Sequence, residues 1–292
     1  MGASYQCAII ASEPRMIGRI DIEQRVREWN LRADIVEKDY VLGWLLWGIG
    51  TEPVFRETWA FKGGTCLKKC FLNTFRFSED LDFTILPSGP VAPKVVSPAL
   101  QRVLTRVSEV SGLDFSQKEP LLKAHESGLY TRCTIYFAGP RGAPNVGSVR
   151  LDLMASEKIV RPTQWRSIDH PYQDQLPLPA TVLCYSFAEV FAEKLRALGE
   201  RARPRDLYDV VSLFRQHSHA SNAKEILDIL REKCAVKNIQ MPSLETIRNP
   251  LREAQARAEW NNMLAHQLPA LSPFDEFWNQ LPDVFAWLQS ED

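Results

Sequence analysis

Helical periodicity dominates the start of the chain. Between Ile20 and Gly50, apolar residues recur at three- and four-residue spacing, which predicts two helices, the second buried nearly all round. A short strand is predicted over residues 58–62, ended by Gly63 and Gly64. The next helix is predicted from Thr65 to Asn73, with Thr65 as its amino-terminal cap.

Strand-like alternation follows. The segment from Phe77 to Leu86 switches between apolar and polar positions, so successive side chains face opposite sides of a strand. Its apolar face carries Leu81, Phe83 and Ile85, and its other face carries Asp80, Asp82 and Thr84. A second alternating strand, from Gly147 to Met154, is predicted to form a hairpin with a strand from Leu129 to Ala138.

The remaining pattern changes from mixed to helical. Pro87 to Pro98 is predicted as a connector, Ala99 to Val110 as a helix and Val182 to Tyr185 as a last strand. Helices alone are predicted beyond it, over Phe187–Leu198, Arg205–His217, Ala223–Cys234, Leu251–Leu268 and Phe274–Gln289. The chain is therefore predicted to be α+β, with a mixed-sheet module over residues 1–185 and a helical carboxy-terminal module over residues 186–292.

Charge and cysteine usage narrow the class of protein. The 292 residues include 35 Lys and Arg against 36 Asp and Glu, which excludes a globally basic nucleic-acid binder. The longest apolar run, Val41 to Gly50, is far shorter than the roughly 20 residues of a membrane span. Six scattered cysteines lack metal-ligand spacing, and no secretory leader precedes them; they are Cys7, Cys66, Cys70, Cys133, Cys184 and Cys234. We expect a soluble cytoplasmic protein with reduced thiols that form neither disulfides nor a zinc site.

Three aspartates are the main candidates for chemistry. Asp80 and Asp82 face the same side of their strand, about 6.6 Å apart along it. Asp152 likewise lies opposite the apolar face of its own strand. Carboxylates on one face repel unless a cation joins them, and their oxygens suit Mg²⁺ or Mn²⁺. The alternative is that all three lie on the solvated side of an amphipathic sheet.

The glycines before this strand are a second candidate. Gly63 and Gly64 follow a strand and precede a helix, so the backbone can turn tightly and approach a phosphate. The segment lacks the Gly-x-x-x-x-Gly-Lys-Ser/Thr spacing of a P-loop. A glycine pair alone is typical of an ordinary turn. Because a strand with an Asp-x-Asp pattern follows, the pair here indicates a phosphate-binding site more specifically.

The run KGGTCLKKCFLNTFRFSEDLD, from Lys62 to Asp82, resembles the opening motif of DNA-polymerase-β-like nucleotidyltransferases. Within them it is similar to the AbiEii/AbiGii toxin family, relatives of the mycobacterial MenT toxins. The segments IVEKDYVL, FAEKLRAL and RARPRDLYDV, together with the Asp152 strand, extend the resemblance to about residues 35–214. It implies a polymerase-β-like mixed sheet with flanking helices.

The resemblance also implies a function. Such a toxin is a metal-dependent enzyme that moves a nucleoside monophosphate from a nucleoside triphosphate (NTP) to an acceptor. In its better understood relatives the acceptor is tRNA, and addition at the 3′ end would block translation. Members belong to toxin–antitoxin or phage-defence systems, and a cognate antitoxin is normally encoded nearby. Transfer to a protein or small-molecule hydroxyl, and a non-catalytic nucleotide-binding module, are the alternatives.

Site residues carry over position by position. The resemblance assigns catalysis to Asp80, Asp82, Asp152 and Lys194, the three aspartates being the metal ligands. It assigns nucleotide binding to Lys62, Gly63, Gly64, Thr65, Ser78, Lys194, Arg205, Asp206 and Asp209. Four of these positions have plainer interpretations: Lys194 could run along the edge of the core, Asp206 could stabilise a helix dipole, and Arg205 could pair with Asp209 on the surface.

An RNA acceptor would need a local basic patch, because the whole chain is nearly neutral. The candidates are Lys68, Lys69, Arg76, Arg201, Arg203 and Arg205.

Overall fold

Two helices begin the part of the chain that the computed structural model describes, which is residues 17–73, 76–217 and 222–290. They are α1 (Arg19–Trp29) and α2 (Ala33–Thr51), as predicted. Helix α2 is buried along most of its length and packs between α1 and the sheet. The prediction for Cys7 lies outside the described residues.

Within the described residues, seven strands form one mixed sheet in the order β3-β4-β5-β2-β1-β7-β6. The strands are β1 (Trp59–Lys62), β2 (Asp80–Ile85), β3 (Leu121–Ala124), β4 (Tyr130–Phe137), β5 (Gly147–Met154), β6 (Gln164–Ser167) and β7 (Thr181–Cys184). Strand β2 runs parallel to β5, and β1 runs parallel to β7, whereas the other pairs are antiparallel. The α+β class and the β4–β5 hairpin are therefore confirmed.

Strands β3 and β6 were not predicted. Each has four residues and lies at an edge of the sheet. Leu121 and Trp165 on these strands remain exposed, so neither segment shows the apolar face by which a strand is recognised in a sequence.

The helix after β1 differs from the prediction. It begins at Gly63 as α3 (Gly63–Cys66), with Lys62 at the cap position, so the prediction of Thr65 as cap was wrong. It continues as a π-helical turn over Leu67–Phe71, closed by a hydrogen bond from Leu72 N to Leu67 O of 2.8 Å. Such turns are frequent at functional sites.

Helix α4 (Pro93–Ser111) also begins earlier than predicted, inside the supposed connector. Pro93 fits the first turn, where a missing N–H costs no hydrogen bond. Pro98 lies within the helix. The prediction treated the prolines as marks of a connector and therefore started the helix too late.

The rest of the chain is helical, as predicted, with more interruptions. Its α-helices are α5 (Phe187–Arg201), α6 (Pro204–His217), α7 (Ala223–Lys237), α8 (Leu244–Ile247), α9 (Pro250–Leu264), α10 (Phe274–Trp278) and α11 (Leu281–Leu288). Helix α5 packs on α6 and α7 and also on the π-helical turn, so it joins the helical part to the sheet. None of the described helices is long and apolar enough to cross a membrane. The division at residue 185 stays a prediction.

Candidate active site

Strand register places four charged side chains in one row across the sheet. Lys62 pairs with Asp82, Asp82 with Asp152, and Asp152 with Arg132. Directly paired residues share a face, so all four side chains lie on the same side of the sheet. In the neighbouring row of that face, Asp80 pairs with Arg150. The predicted common face of the aspartates is present in the structure.

Asp82 is the most enclosed of the three carboxylates. It is partly buried, and no described residue donates a hydrogen bond to it. Burial, together with the charges of Asp152 and Asp80, raises its pKa to about 6, although Lys62 and Lys194 act in the opposite direction. A carboxylate in this position carries charge that its protein surroundings compensate incompletely.

The absence of a side chain at Gly63 leaves space for the carboxylate of Asp82. The φ angle of Gly63 is +84°, which side chains rarely adopt, and a Cβ there would lie 2.5 Å from Asp82 Oδ2. The turn thus brings bare backbone against the carboxylate. Any larger residue would move one or the other.

The other two aspartates contact arginines. Arg150 Nε lies 3.2 Å from Asp80 Oδ1, and Arg132 Nε lies 3.0 Å from Asp152 Oδ1. The Tyr130 hydroxyl also donates to Asp152 Oδ1, at 2.5 Å. Burial raises the pKa of Asp80 despite Arg150. In both carboxylates the contacts fall on Oδ1, and Oδ2 accepts no hydrogen bond from the described residues.

The three aspartates do not form a compact ligand set. Among the described residues, the one group of three or more candidate metal-ligand atoms that lie within 4.8 Å of one another is formed by cysteines. Asp80 and Asp152 each contact an arginine instead, Arg150 and Arg132 respectively.

The predicted phosphate-binding residues lie beside this row. A Cβ at Gly64 would lie 2.9 Å from Arg76 Nη2 and 3.1 Å from Ser78 Oγ, so the glycine packs closely against both side chains. Thr65 is buried, and its hydroxyl donates to the backbone oxygen of Asp80 at 2.5 Å. Thr65 therefore fastens the glycine turn to β2.

A cleft of about 260 Å³ opens between the glycine turn and α5. Lys62, Gly63, Asp82 and Lys194 line it together. Its other lining residues are mainly charged; they are Glu157, Val190, Glu193, Arg196, Ala197, Glu200, Arg201 and Lys237. Lys62 Nζ lies 3.5 Å from Glu193 Oε1 across the cleft.

Asp209 is buried and binds two cations. Its carboxylate accepts from Arg76 at 2.6 and 2.8 Å and lies 2.8 Å from Lys194 Nζ. Burial opposes its ionisation, but Arg76 and Lys194 lower its pKa overall. The alternative of a surface pair between Arg205 and Asp209 is not what the structure has.

The neighbouring residues of α6 have different surroundings. Asp206 is buried and accepts two hydrogen bonds from Arg201, at 2.7 and 2.9 Å, so its carboxylate is occupied by that partner. Arg205 is exposed and lies within electrostatic reach of Asp80 and Glu79. Of these two residues, Arg205 is the one near the aspartates.

Three members of the predicted basic patch are buried. Lys69 Nζ lies 2.6 Å from Asp39 Oδ2, Lys68 donates to the backbone oxygen of Asn73, and Arg76 binds Asp209. Including them in a surface patch was wrong. Exposed positions remain at Arg201, Arg203 and Arg205.

Arg132 and Arg150 were missed as site residues. The available signal was alternation: Arg150 lies two positions before Asp152 and shares its face. Arg132 could not be found in this way, because only the pairing of β4 with β5 brings it to Asp152.

On this mixed sheet the glycine turn lies directly against the strand-borne carboxylate of Asp82, and both line one cleft, which is the arrangement that the resemblance to nucleotidyltransferases predicts. Residues 44–283 match the family model described as "Nucleotidyl transferase AbiEii toxin, Type IV TA system". The chain belongs to this family of nucleotidyltransferase toxins of type IV toxin–antitoxin systems.

Comparison with solved structures shows a similar fold. The fold is similar to that of MenT4, a nucleotidyltransferase toxin from Mycobacterium tuberculosis H37Rv, with a TM-score of 0.61 and 21% sequence identity. The similarity covers 94% of this chain and 91% of the other. No curated protein sequence matches the chain.

Proposed function

We propose that this protein transfers a nucleoside monophosphate from an NTP to the 3′ end of tRNA and thereby blocks translation. Asp80, Asp82 and Asp152 would hold Mg²⁺ or Mn²⁺ for this reaction. Membership of the family supports nucleotidyl transfer. The metal is inferred from the chemistry of the three aspartates, whereas the tRNA acceptor is what the resemblance to the family implies.

The carboxylate of Asp82 carries the proposal. It has no hydrogen-bond donor among the described residues, its pKa is raised to about 6, and two further carboxylates flank it. A divalent cation relieves this repulsion, and a set of carboxylate oxygens suits Mg²⁺ or Mn²⁺. When bound, the cation would neutralise charge on the triphosphate and help to orient it.

The other site residues have roles that follow from their positions. Gly63 and Gly64 would let the triphosphate approach the backbone, and the hydroxyl of Ser78 lies beside Gly64. Lys62 and Lys194 face the same cleft as Asp82 and would compensate phosphate charge. Asp152 keeps Oδ2 available either as a further metal ligand or as the base that accepts the proton of the acceptor hydroxyl.

Exposed arginines support an RNA acceptor over a small molecule. Arg203 and Arg205 lie at the start of α6, and Arg132 and Arg150 lie beside the aspartates at the strands β4 and β5. The formal net charge of −1 means that such binding must be local, and that it weakens as salt rises.

The cellular setting belongs to the same proposal. We expect the toxin to act in the cytoplasm, where its tRNA acceptor is, and a cognate antitoxin to be encoded nearby. A role in phage defence would follow from inhibition of translation in infected cells.

Transfer of label tests the function directly. The full-length protein is incubated with each α-labelled NTP, Mg²⁺, and total RNA or a protein lysate. We expect label on tRNA-sized material with the wild-type protein and none with Asp80→Ala. Asp228→Ala is the matched control, because Asp228 is a partly exposed aspartate on α7 outside the site. Label on protein would show that the acceptor is a protein and not tRNA. The absence of transfer to any acceptor would overturn the proposal.

Growth gives the companion test. Expression of the wild-type toxin alone should arrest a bacterial host, whereas expression of Asp80→Ala should not. Asp80 is about a third exposed, so its loss should leave the fold intact. Arrest by a folded Asp80→Ala protein would contradict the assigned role of this carboxylate.

A further inference from the structure

Three buried cysteines meet behind the glycine turn. Cys66 ends α3, Cys70 lies in the π-helical turn, and Cys184 ends β7, which pairs with β1. Their sulfur atoms all lie within 4.8 Å of one another. The sequence showed only scattered thiols, because strand pairing brings Cys184 to a helix that begins about 120 residues earlier.

We propose that Cys66, Cys70 and Cys184 form a binding site for a soft metal ion, Zn²⁺ or Cu⁺. The site is separate from the aspartate row and does not depend on the proposed catalytic function. Thiolate sulfur is the protein ligand that these two ions prefer. Among the described residues, no carboxylate or imidazole joins the three sulfurs.

The distances suit such an ion. A metal–sulfur bond is about 2.3 Å long, so sulfurs around a tetrahedral centre lie roughly 3.8 Å apart. Sulfurs already within 4.8 Å of one another need only small side-chain movements to reach this spacing. Cys66 and Cys70 are four residues apart on one helical segment, which places their side chains on the same face.

The surroundings of the three sulfurs include backbone oxygens and a cation. Cys66 Sγ donates to the backbone oxygen of Phe61 and Cys184 Sγ donates to that of Val182, each at 3.5 Å. Arg166 has no carboxylate partner among the described residues, and its Nε donates to the backbone oxygen of Cys70 at 3.2 Å. Its charge is therefore available to offset that of the sulfurs. Metal binding would displace the protons of the ligating thiols to solvent.

The ordinary alternative is that three thiols pack as small apolar side chains. Buried cysteine often does so. Two features distinguish this cluster from that case: the sulfurs converge from two separate segments, and a cation without a carboxylate partner lies beside them. Cys133 is buried alone in β4 and shows what simple packing looks like.

A bound ion would fasten β7 to the segment that follows the glycine turn. Cys66 comes two residues after Gly64, and Cys184 is paired with Phe61, directly before Lys62. The ion would thus link the segment after the glycine turn to the strand that pairs with the segment before it. We expect it to raise the midpoint of thermal unfolding (Tm) and to slow hydrogen exchange over residues 63–71.

Metal retention by the full-length protein tests the site. The reduced protein is stripped with a chelator, incubated with one equivalent of Zn²⁺ or of Cu⁺, desalted and measured for metal content. We expect one ion per chain in the wild type and at least tenfold weaker binding in Cys184→Ser and Cys66→Ser. Cys133→Ser is the matched control and should bind as the wild type does. Competition with chelators of known affinity distinguishes the two ions.

A second measurement covers variants that fail to fold. Cd²⁺ added to the stripped wild type should produce a thiolate charge-transfer absorption corresponding to three sulfurs. Asp82→Asn should bind the soft ion normally, which separates this site from the carboxylates. Absence of both metal retention and the absorption in the wild type, or unchanged binding by a folded Cys184→Ser, would overturn the proposal.

Discussion

Lys194 Nζ of α5 lies 2.8 Å from Asp209 Oδ2 of α6, at the edge of the cleft that contains Asp82. The same carboxylate accepts two hydrogen bonds from Arg76, which belongs to the segment before β2. One buried anion thus holds two cations, and the group carries a formal charge of +1. Asp209 is a positioning residue that keeps Lys194 beside the cleft, where phosphate charge would arrive under the proposed function.

Removal of Lys194 should therefore affect transfer more than folding. Arg76 still neutralises Asp209 in Lys194→Ala, so we expect a modest loss of stability. The loss of a positioned cation should lower kcat/KM for nucleotidyl transfer by about 10²–10³-fold. Lys237→Ala is the control, because Lys237 lines the same cleft but contacts Glu157 instead of Asp209. Equal kinetics in the two variants would contradict this role for Lys194.

We expect Asp82 to lower the stability of the folded protein at neutral pH while being required for transfer. Its pKa is raised from 3.8 to about 6, so the folded protein binds more protons than the unfolded chain between these pH values. Stability contributed by the protonated group is present below pH 4 and is lost as the pH rises through about 6. At pH 7.5, Asp82→Asn should raise the free energy of unfolding by about 1–3 kcal/mol and abolish transfer. Urea denaturation of both proteins, with Asp228→Asn as control, measures the difference; a destabilised Asp82→Asn would be evidence against it.

The same group should set the acid limb of the pH profile. A protonated Asp82 cannot hold a cation, so kcat/KM should fall about tenfold per pH unit below pH 6. Higher Mg²⁺ competes with protons and should move the midpoint to lower pH. Transfer rates measured between pH 5 and 8 at two Mg²⁺ concentrations provide the check. A profile that is flat down to pH 5 would show that Asp82 does not titrate in this range.

Arg203 should contribute to binding of the acceptor and not of the nucleotide. It is exposed, and no ion pair is found for it among the described residues. In Arg203→Ala we expect weaker RNA binding, with a slope of log Kd against log salt that is smaller by about 0.7–0.9. The KM for NTP should stay unchanged. Arg231→Ala, which removes an exposed arginine of α7, should leave both quantities as in the wild type; a matching loss there would mean that the effect is non-specific.

Much of the site was accessible from the sequence because it depends on local pattern. Alternation alone places Asp80 and Asp82 on one face, and the glycine pair marks the turn that leaves room for Asp82. The failures concern partners distant in sequence. Adjacent Lys68 and Lys69 look exposed, yet Lys69 is neutralised by Asp39, which lies 30 residues earlier.

The tripeptide Glu37-Lys38-Asp39 shows why such partners matter. Glu37 binds Arg141 after β4, Lys38 binds Glu79 before β2, and Asp39 binds Lys69 after the glycine turn. Three consecutive residues of α2 therefore fasten three segments around the site. Periodicity identifies the helix, but it contains no information about which loop each charge will meet.

The Asp39–Lys69 pair provides the sharpest test of this arrangement. Both groups are buried, 2.6 Å apart, and Asp39 Oδ2 also accepts from the Tyr172 hydroxyl at 2.9 Å. Asp39→Ala leaves a buried ammonium without its anion, so we expect a loss of about 3–5 kcal/mol in the free energy of unfolding. Asp39→Leu combined with Lys69→Met should recover most of this loss, because neither charge of the pair then remains buried.

Lys38→Ala is the matched control for that experiment, since it removes the neighbouring ion pair with Glu79, which is partly exposed. It should cost about 1 kcal/mol or less. Urea unfolding of the four proteins, followed by fluorescence, measures all of these differences. If Asp39→Ala costs no more than Lys38→Ala, then Asp39 does not stabilise the segment after the glycine turn, and Lys69 must be neutralised in another way.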